Sequence, residues 1–207
     1  MKCLLVDDHA LIRDALALLI TLHHPHVDLR HAASLAAARA LLVAEPDVQL
    51  VLLDLALPDN SGLATLLQVR DAAPAARIVV LSADERAETV LATLDGGAAG
   101  FIPKTTESRL MRNALATVID GGVYVPTVAT GSAALGVAVA GETLGLTPRQ
   151  VDVLQLLIDG RSNKSIAPAL DLAPSTVKTH LEAIFQRLDV RSRTQAVVAA
   201  ARLGLRL

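Results

Sequence analysis

Five times in the first 120 residues an apolar run is followed by a helical pattern, and most of these runs end in a charged or polar residue. Cys3–Val6, Val48–Leu53, Ile78–Leu81 and Ala98–Ile102 read as strands. The middle two are Val/Leu/Ile runs, as expected of strands covered on both faces. Val27, Leu29 and His31 alternate with polar residues and add a further strand. Between the strands, Ile12, Ala15, Leu16 and Leu19 follow i, i+3, i+4, i+7 spacing, and Met111, Ala114, Leu115 and Val118 repeat it. Strand–helix alternation of this kind builds a doubly wound α/β fold with a five-stranded parallel sheet.

In an open parallel sheet, ligands bind beyond the carboxyl ends of the strands. Here those ends carry Asp7-Asp8, Asp54 and Ser82, and Lys104 follows the last strand. Each alone has an ordinary reading as a helix cap or a solvated charge; their convergence on one rim makes them a site. Clustered carboxylates repel one another and raise each other's pKa. A hard divalent cation relieves that conflict, and carboxylate oxygens suit Mg²⁺. Lys104 and Ser82 can then bind phosphoryl oxygens, and Asp54 becomes a nucleophile able to form an aspartyl phosphate.

After Asp120 the pattern stops. Gly121 to Gly141 is uncharged, but it is mostly Gly, Ala, Thr, Ser and Val with Pro126, and lacks the sustained Leu/Ile/Phe of a membrane span. The domains are therefore read as 1–120, a flexible linker over 121–143, and a second domain over 144–207. Thr147-Pro148-Arg149-Gln150 announces a helix: Thr147 as N-cap, Pro148 at the first position, Gln150 completing a capping box. Val151, Leu154 and Ile158 form its buried stripe and Gly160 stops it. Further helices begin near Ser162, near Pro174 and, with a second capping box, at Ser192-Arg193-Thr194-Gln195. The result is a small all-α domain of four helices. On the helix from Pro174, Val177, Leu181, Ile184, Phe185 and Leu188 fall on the buried face, so Lys178, Thr179, Glu182 and Gln186 point outward.

The charge is divided between the domains. Residues 1–120 hold 10 Lys+Arg and 15 Asp+Glu, net −5; residues 145–207 hold 9 and 5, net +4. That asymmetry suits a cation or phosphate site in the first domain and a polyanion partner for the second. With one cysteine, Cys3 in an apolar run, an internal disulfide and a cysteine-based zinc site are excluded. Aromatic residues at 1% exclude stacking platforms for single-stranded nucleic acid. The N-terminus meets acidic residues too early for a signal peptide, so a cytoplasmic protein is expected. His23, His24, His26 and His31 cluster loosely, without the spacing of a metal site.

Val-Asp-Asp-His at 6–9, Leu-Leu-Asp-Leu-Ala-Leu-Pro-Asp-Asn-Ser-Gly at 52–62, Leu-Ser-Ala at 81–83 and Phe-Ile-Pro-Lys at 101–104 resemble a response-regulator receiver. The resemblance implies Asp54 as phosphoacceptor, with Mg²⁺ held by Asp8, Asp54 and the carbonyl of Ala56, and Asp7 assisting through water. It implies Ser82 and Lys104 as phosphoryl-binding residues. Phe101 takes the place of the aromatic switch residue, whose ring turns inward as Ser82 moves toward the phosphoryl group. Thr105 follows the lysine where many receivers have proline.

Leu146-Thr-Pro-Arg-Gln-Val-Asp-Val-Leu, Gly160-Arg-Ser-Asn-Lys-Ser-Ile-Ala, Ser175-Thr-Val-Lys-Thr-His-Leu and Val190-Arg-Ser-Arg-Thr-Gln-Ala resemble the LuxR-type helix-turn-helix. A receiver followed by this domain is the NarL/FixJ arrangement. It implies a transcriptional regulator of double-stranded DNA that a sensor histidine kinase phosphorylates at Asp54 and that forms a homodimer when phosphorylated. By the resemblance Lys178, Thr179 and Glu182 face bases, Asn163, Lys164, Thr176 and His180 lie near phosphates, and the final helix forms a dimer contact. Three features depart from the pattern. Pro168 lies inside the second helix and is expected to kink it. Ala173 replaces a capping hydroxyl, at about 1 kcal/mol. Glu182 stands where lysine is common.

Two alternatives share these residues. An aspartate-based phosphatase would use the same rim, but the general-acid position two residues after Asp54 is Ala56. A receiver acting only as a phosphate-independent dimerisation module would not need the full set of five polar residues. The protein is therefore expected to be no enzyme, and to take no small-molecule substrate beyond phosphodonors.

Overall fold

The computed structural model describes residues 1–126 and 144–203, with the backbone alone at Arg202. The chain divides into two compact units, Met1–Ala116 and Thr117–Leu207.

The first unit holds strands β1 (Lys2–Val6), β2 (Asp28–Ala32), β3 (Leu50–Asp54), β4 (Ala56–Leu57), β5 (Asn60–Ser61), β6 (Arg77–Ser82) and β7 (Gly100–Pro103). Between them run α1 (Ala10–His23), α2 (Leu35–Ala44), α3 (Leu63–Ala72) and α4 (Ala87–Asp95), and α5 (Ser108–Ile119) follows β7, its last turn running past the division at Ala116. Five strands form one sheet in the order β2-β1-β3-β6-β7, and every neighbouring pair is parallel. The order reverses between β1 and β3, which places a crevice beyond their carboxyl ends. Cys3–Val6, all of β3 and Ile78–Leu81 are buried, the signature of strands with helices on both faces. At the edge, β2 buries only Ala32.

The helices bury narrower stripes. In α5, Met111, Ala114, Leu115 and Val118 are buried as their spacing requires. In α1 the stripe runs through Ile12, Leu16 and Ile20; Ala15, expected inward, is exposed. Successive steps of four carry that stripe past Ala15. Two connections escape the periodic pattern. Ala56 pairs with Ser61 and Leu57 with Asn60 in a small antiparallel hairpin after β3. The same loop sends Asp59 to the start of α2, where its carboxylate accepts from the N–H groups of Leu35 (2.9 Å) and Ala36 (2.8 Å). Those donors have no partner within their own helix.

The second unit contains α6 (Pro148–Ile158), α7 (Asn163–Ala169), α8 (Pro174–Arg187) and α9 (Arg193–Arg202). Thr147 and Gln150 form the reciprocal capping box that opens α6. At α9, Ser192 Oγ accepts from Gln195 N at 3.1 Å, while the Gln195 side chain reaches one residue further back to Arg191 N. Val153, Leu154, Leu157 and Ile158 of α6 meet Ile166, Val177, Leu181, Ile184, Ala196, Val197 and Ala200 in one core. Val151, expected in the stripe, is half-buried at its margin.

Of the stretch read as a linker, 127–143 lies outside the described residues. Within 121–126, Val123 is buried in the same core, and its N–H donates to the Gly160 carbonyl at 3.2 Å. Gly160 ends the α6 turn with φ 77°. Pro168 sits one residue from the end of α7 and is exposed; lacking an N–H, it leaves the Lys164 carbonyl, in the first turn of this seven-residue helix, without its donor four residues on. Ala173 at the start of α8 makes no side-chain cap, and Pro174 takes the first helical position.

Candidate functional site

β1, β3, β6 and β7 deliver Asp7, Asp54, Ser82 and Lys104 to one end of the sheet. Asp7, Asp54 and Ser82 are buried. Lys104 is positioned by its own N–H, which donates to the Ser82 carbonyl at 2.8 Å. Its Nζ then lies 2.6 Å from Asp54 Oδ2 and 2.8 Å from Asp7 Oδ2. Burial works against the charge on Lys104, but the hydrogen bonds it donates to Asp54 and Asp7 outweigh it and hold the ammonium above the usual lysine pKa.

The other carboxylate oxygens are fixed by the backbone. Asp54 Oδ1 accepts from Ala56 N at 3.1 Å, and Asp7 Oδ1 from His9 N at 2.9 Å. The Asp7 carbonyl accepts from Arg13 at 2.7 Å, which ties α1 to the end of β1. One ligand atom from each of Asp7, Asp8, His9 and Asp54 lies within 4.8 Å of the others. Three carboxylates at that separation fit a hard divalent cation, which would supply the positive charge that Lys104 alone provides here. His9 joins this group without any spacing that marks it in the sequence: its Nδ1 is 2.8 Å from Asp8 Oδ1. His23, His24, His26 and His31 join no such group among the described residues.

On the far side of the rim, Ser82 Oγ accepts from Asp84 N at 3.1 Å. Asp84 in turn accepts from Arg86 at 2.8 and 2.6 Å and from Thr89 Oγ1 at 2.8 Å. These partners hold its carboxyl well below the usual aspartate range. The loop that carries the serine is thus clamped by three residues no periodicity marks. Thr105 Oγ1 donates to Glu85 at 3.1 Å, tying the segment after Lys104 to the same loop. Phe101 is fully buried, its ring already turned into the unit.

In the second unit, α8 packs its apolar face on α6 and α7. Lys178, Thr179, Glu182 and Gln186 are exposed on the opposite face, with Lys164 exposed on α7 and Thr176, His180 and Asn163 half-buried. Asn163 Oδ1 accepts from Arg193 at 3.0 Å, which links α7 to the start of α9. Lys178 Nζ and Glu182 Oε1 are 3.8 Å apart, one helical turn from each other.

Comparison with known proteins matches residues 3–116 to the response regulator receiver domain and residues 144–200 to the LuxR family of bacterial regulatory proteins. The chain is 35% identical to the glycerol metabolism activator of Pseudomonas putida, over 96% of this chain and 94% of that protein. It is 33% identical to the nitrate/nitrite response regulator protein NarL of Escherichia coli K12, over 94% and 92%. Among solved structures, a LuxR family DNA-binding response regulator from Silicibacter pomeroyi aligns with TM-score 0.53 at 28% identity, covering 61% of this chain and 97% of that one. Receiver rim, helical unit and relatives agree: the chain belongs to the response regulators that join a receiver domain to a LuxR-type regulatory domain.

Proposed function

We propose that this protein is a transcriptional regulator whose binding to double-stranded DNA is controlled by phosphorylation of Asp54, with a sensor histidine kinase as donor. It is a regulator and not an enzyme. The observation that carries the reading is the charge balance at the rim: a buried Asp54 with Lys104 at 2.6 Å and a second carboxylate within reach.

An Asp54 oxygen attacks the phosphorus of the kinase's phosphohistidine. A P–O bond forms as the P–N bond breaks, and the imidazole leaves and takes up a proton. Asp8, Asp54 and the Ala56 carbonyl would hold Mg²⁺, with Asp7 assisting through water, and the bound cation would supply positive charge against the phosphoryl oxygens. Lys104 pairs with one of those oxygens in place of Asp54. Ser82 turns its hydroxyl from the Asp84 N–H toward another. Phe101, already buried and without a hydroxyl, keeps its inward place by packing alone. Transfer of this kind rests on positioning and charge neutralisation. Asp54 therefore takes phosphate from a small donor such as acetyl phosphate in the presence of Mg²⁺. Loss of that labelling in Asp54→Asn and on chelation is the expected result; labelling that persists in Asp54→Asn contradicts the assignment.

For DNA, Lys178, Thr179 and Glu182 on the outward face of α8 are placed to face bases in the major groove. Asn163, Lys164, Thr176 and His180 would lie near phosphates, supplying salt-sensitive affinity. The receiver is assigned to 1–120 and the DNA-binding domain to 144–207; of the stretch 121–143 between them, Val123 packs with the helical core and is no part of a free linker. A homodimer of the phosphorylated form would match paired half-sites, and the exposed Leu11, Leu18 and Leu22 on one face of α1 are apolar surface available to it. Among the described residues no helix is long and apolar enough to cross a membrane; a cytoplasmic location completes the reading.

A further inference from the structure

We infer that Glu182 selects the DNA sequence: its carboxylate requires a cytosine amino group in each half-site, and Lys178, one turn earlier, takes a guanine beside it. This rests on the reading above, in which α8 enters the major groove.

Glu182 is the sole acidic residue of α8, whose other charged groups are Lys178 and Arg187. Its side chain is 60% exposed and that of Lys178 is 74% exposed, both on the outward face. A carboxylate there is repelled by every phosphate backbone it approaches. It also faces electrostatic repulsion from guanine O6 and N7 and from thymine O4, all acceptors. Cytosine N4 is the donor that a single carboxylate best matches on the major-groove edge. Glu182 therefore acts mainly by exclusion: it weakens binding to most sequences and less so where cytosine meets it.

Lys178 makes that arrangement tolerable. At 3.8 Å in the free protein it offsets the charge of Glu182. Four residues along a helix advance about 6 Å, against about 3.4 Å per base step. Their backbone positions thus lie nearly two base steps apart, and their side-chain ends, 3.8 Å apart, about one; the two can part onto adjacent base pairs, the lysine donating to guanine O6 or N7 and the glutamate accepting from cytosine N4. An ordinary surface ion pair at this spacing would contribute a few tenths of a kcal/mol to the helix and nothing to sequence choice.

The test is selection of binding sites from a random duplex library by the full chain, with Mg²⁺ and beryllofluoride present. Wild type, E182A, E182Q and K178A are compared, with a thermal midpoint for each to show that the fold is unchanged. Wild type is expected to fix one cytosine per half-site, with at least about a tenfold loss of affinity on replacing it. E182A should lose that discrimination while binding all sequences more tightly. E182Q should move the preference to adenine, because an amide pairs with adenine N6 and N7. K178A should lose the neighbouring guanine. An unchanged base preference in E182A and E182Q overturns this inference and leaves DNA binding standing. Failure of wild type to retain any duplex overturns both.

Discussion

Lys104 Nζ stands between two buried carboxylates, 2.6 Å from Asp54 Oδ2 and 2.8 Å from Asp7 Oδ2. One ammonium thus holds together the residue proposed to accept phosphate and the residue proposed to support the cation. Removing it leaves two buried negative charges side by side. Lys104→Met is expected to lower stability by about 3 kcal/mol in chelator. Saturating Mg²⁺ should restore part of that loss, because the cation replaces the missing charge. Urea unfolding with and without Mg²⁺ checks this, and a loss independent of Mg²⁺ would separate Lys104 from the cation site.

Cys3 gives a pH prediction. Burial in β1 pushes its thiol up to about 12. A thiol whose folded pKa is raised favours the folded state only while it stays neutral. Its contribution is full below the unfolded value near 8.5 and falls as pH rises above it. The native protein is therefore expected to resist thiol alkylation at pH 8, and the chain's single cysteine to react once unfolded. Alkylation that is fast under native conditions would contradict the burial.

Asp59 gives one of opposite sign. The N–H groups of Ala36 and Leu35 hold its carboxyl below the usual aspartate range. Its contribution is present above about pH 4 and is lost as pH falls through the folded value. Asp59→Asn should lower the denaturation midpoint at pH 7, and the gap to wild type should close below pH 4. An equal gap at both pH values would assign the effect to something other than charge at the α2 terminus.

Gly122 and Gly160 approach so closely that side chains do not fit. A Cβ added to Gly122 would lie 2.1 Å from the Gly160 carbonyl oxygen, and one added to Gly160 would lie 2.6 Å from that of Val123. Gly160 also has φ 77°. Either change to alanine is expected to destabilise the helical unit by more than 1 kcal/mol, with Val123 displaced from the core. Thermal unfolding of each variant checks it, and an unchanged midpoint would contradict the packing.

These residues also mark what the sequence makes legible. The sheet, its carboxyl-end rim and the outward face of α8 follow from periodicity, which repeats and is visible in one dimension. Asp59 at α2, Asp84 behind Ser82, His9 beside Asp8 and Val123 in the helical core do not. Each is a single contact between segments whose spacing carries no period. Ala15 shows the same boundary within a helix: small apolar residues fit either face, so Ile12, Leu16 and Ile20 decide the stripe. The receiver motifs name Ser82 and Lys104, but the clamp of Asp84, Arg86 and Thr89 on the serine loop is visible only in three dimensions.

The state of Asp54 is proposed to control DNA binding. The direct measurement is the affinity of the full chain for genomic DNA fragments, with and without Mg²⁺ and beryllofluoride, which stands in for the phosphoryl group on Asp54. Tighter binding with the mimic in wild type, and no change in Asp54→Ala, is the predicted result. Equal affinity in both states of the wild-type protein would contradict it and leave the receiver as a phosphate-independent module.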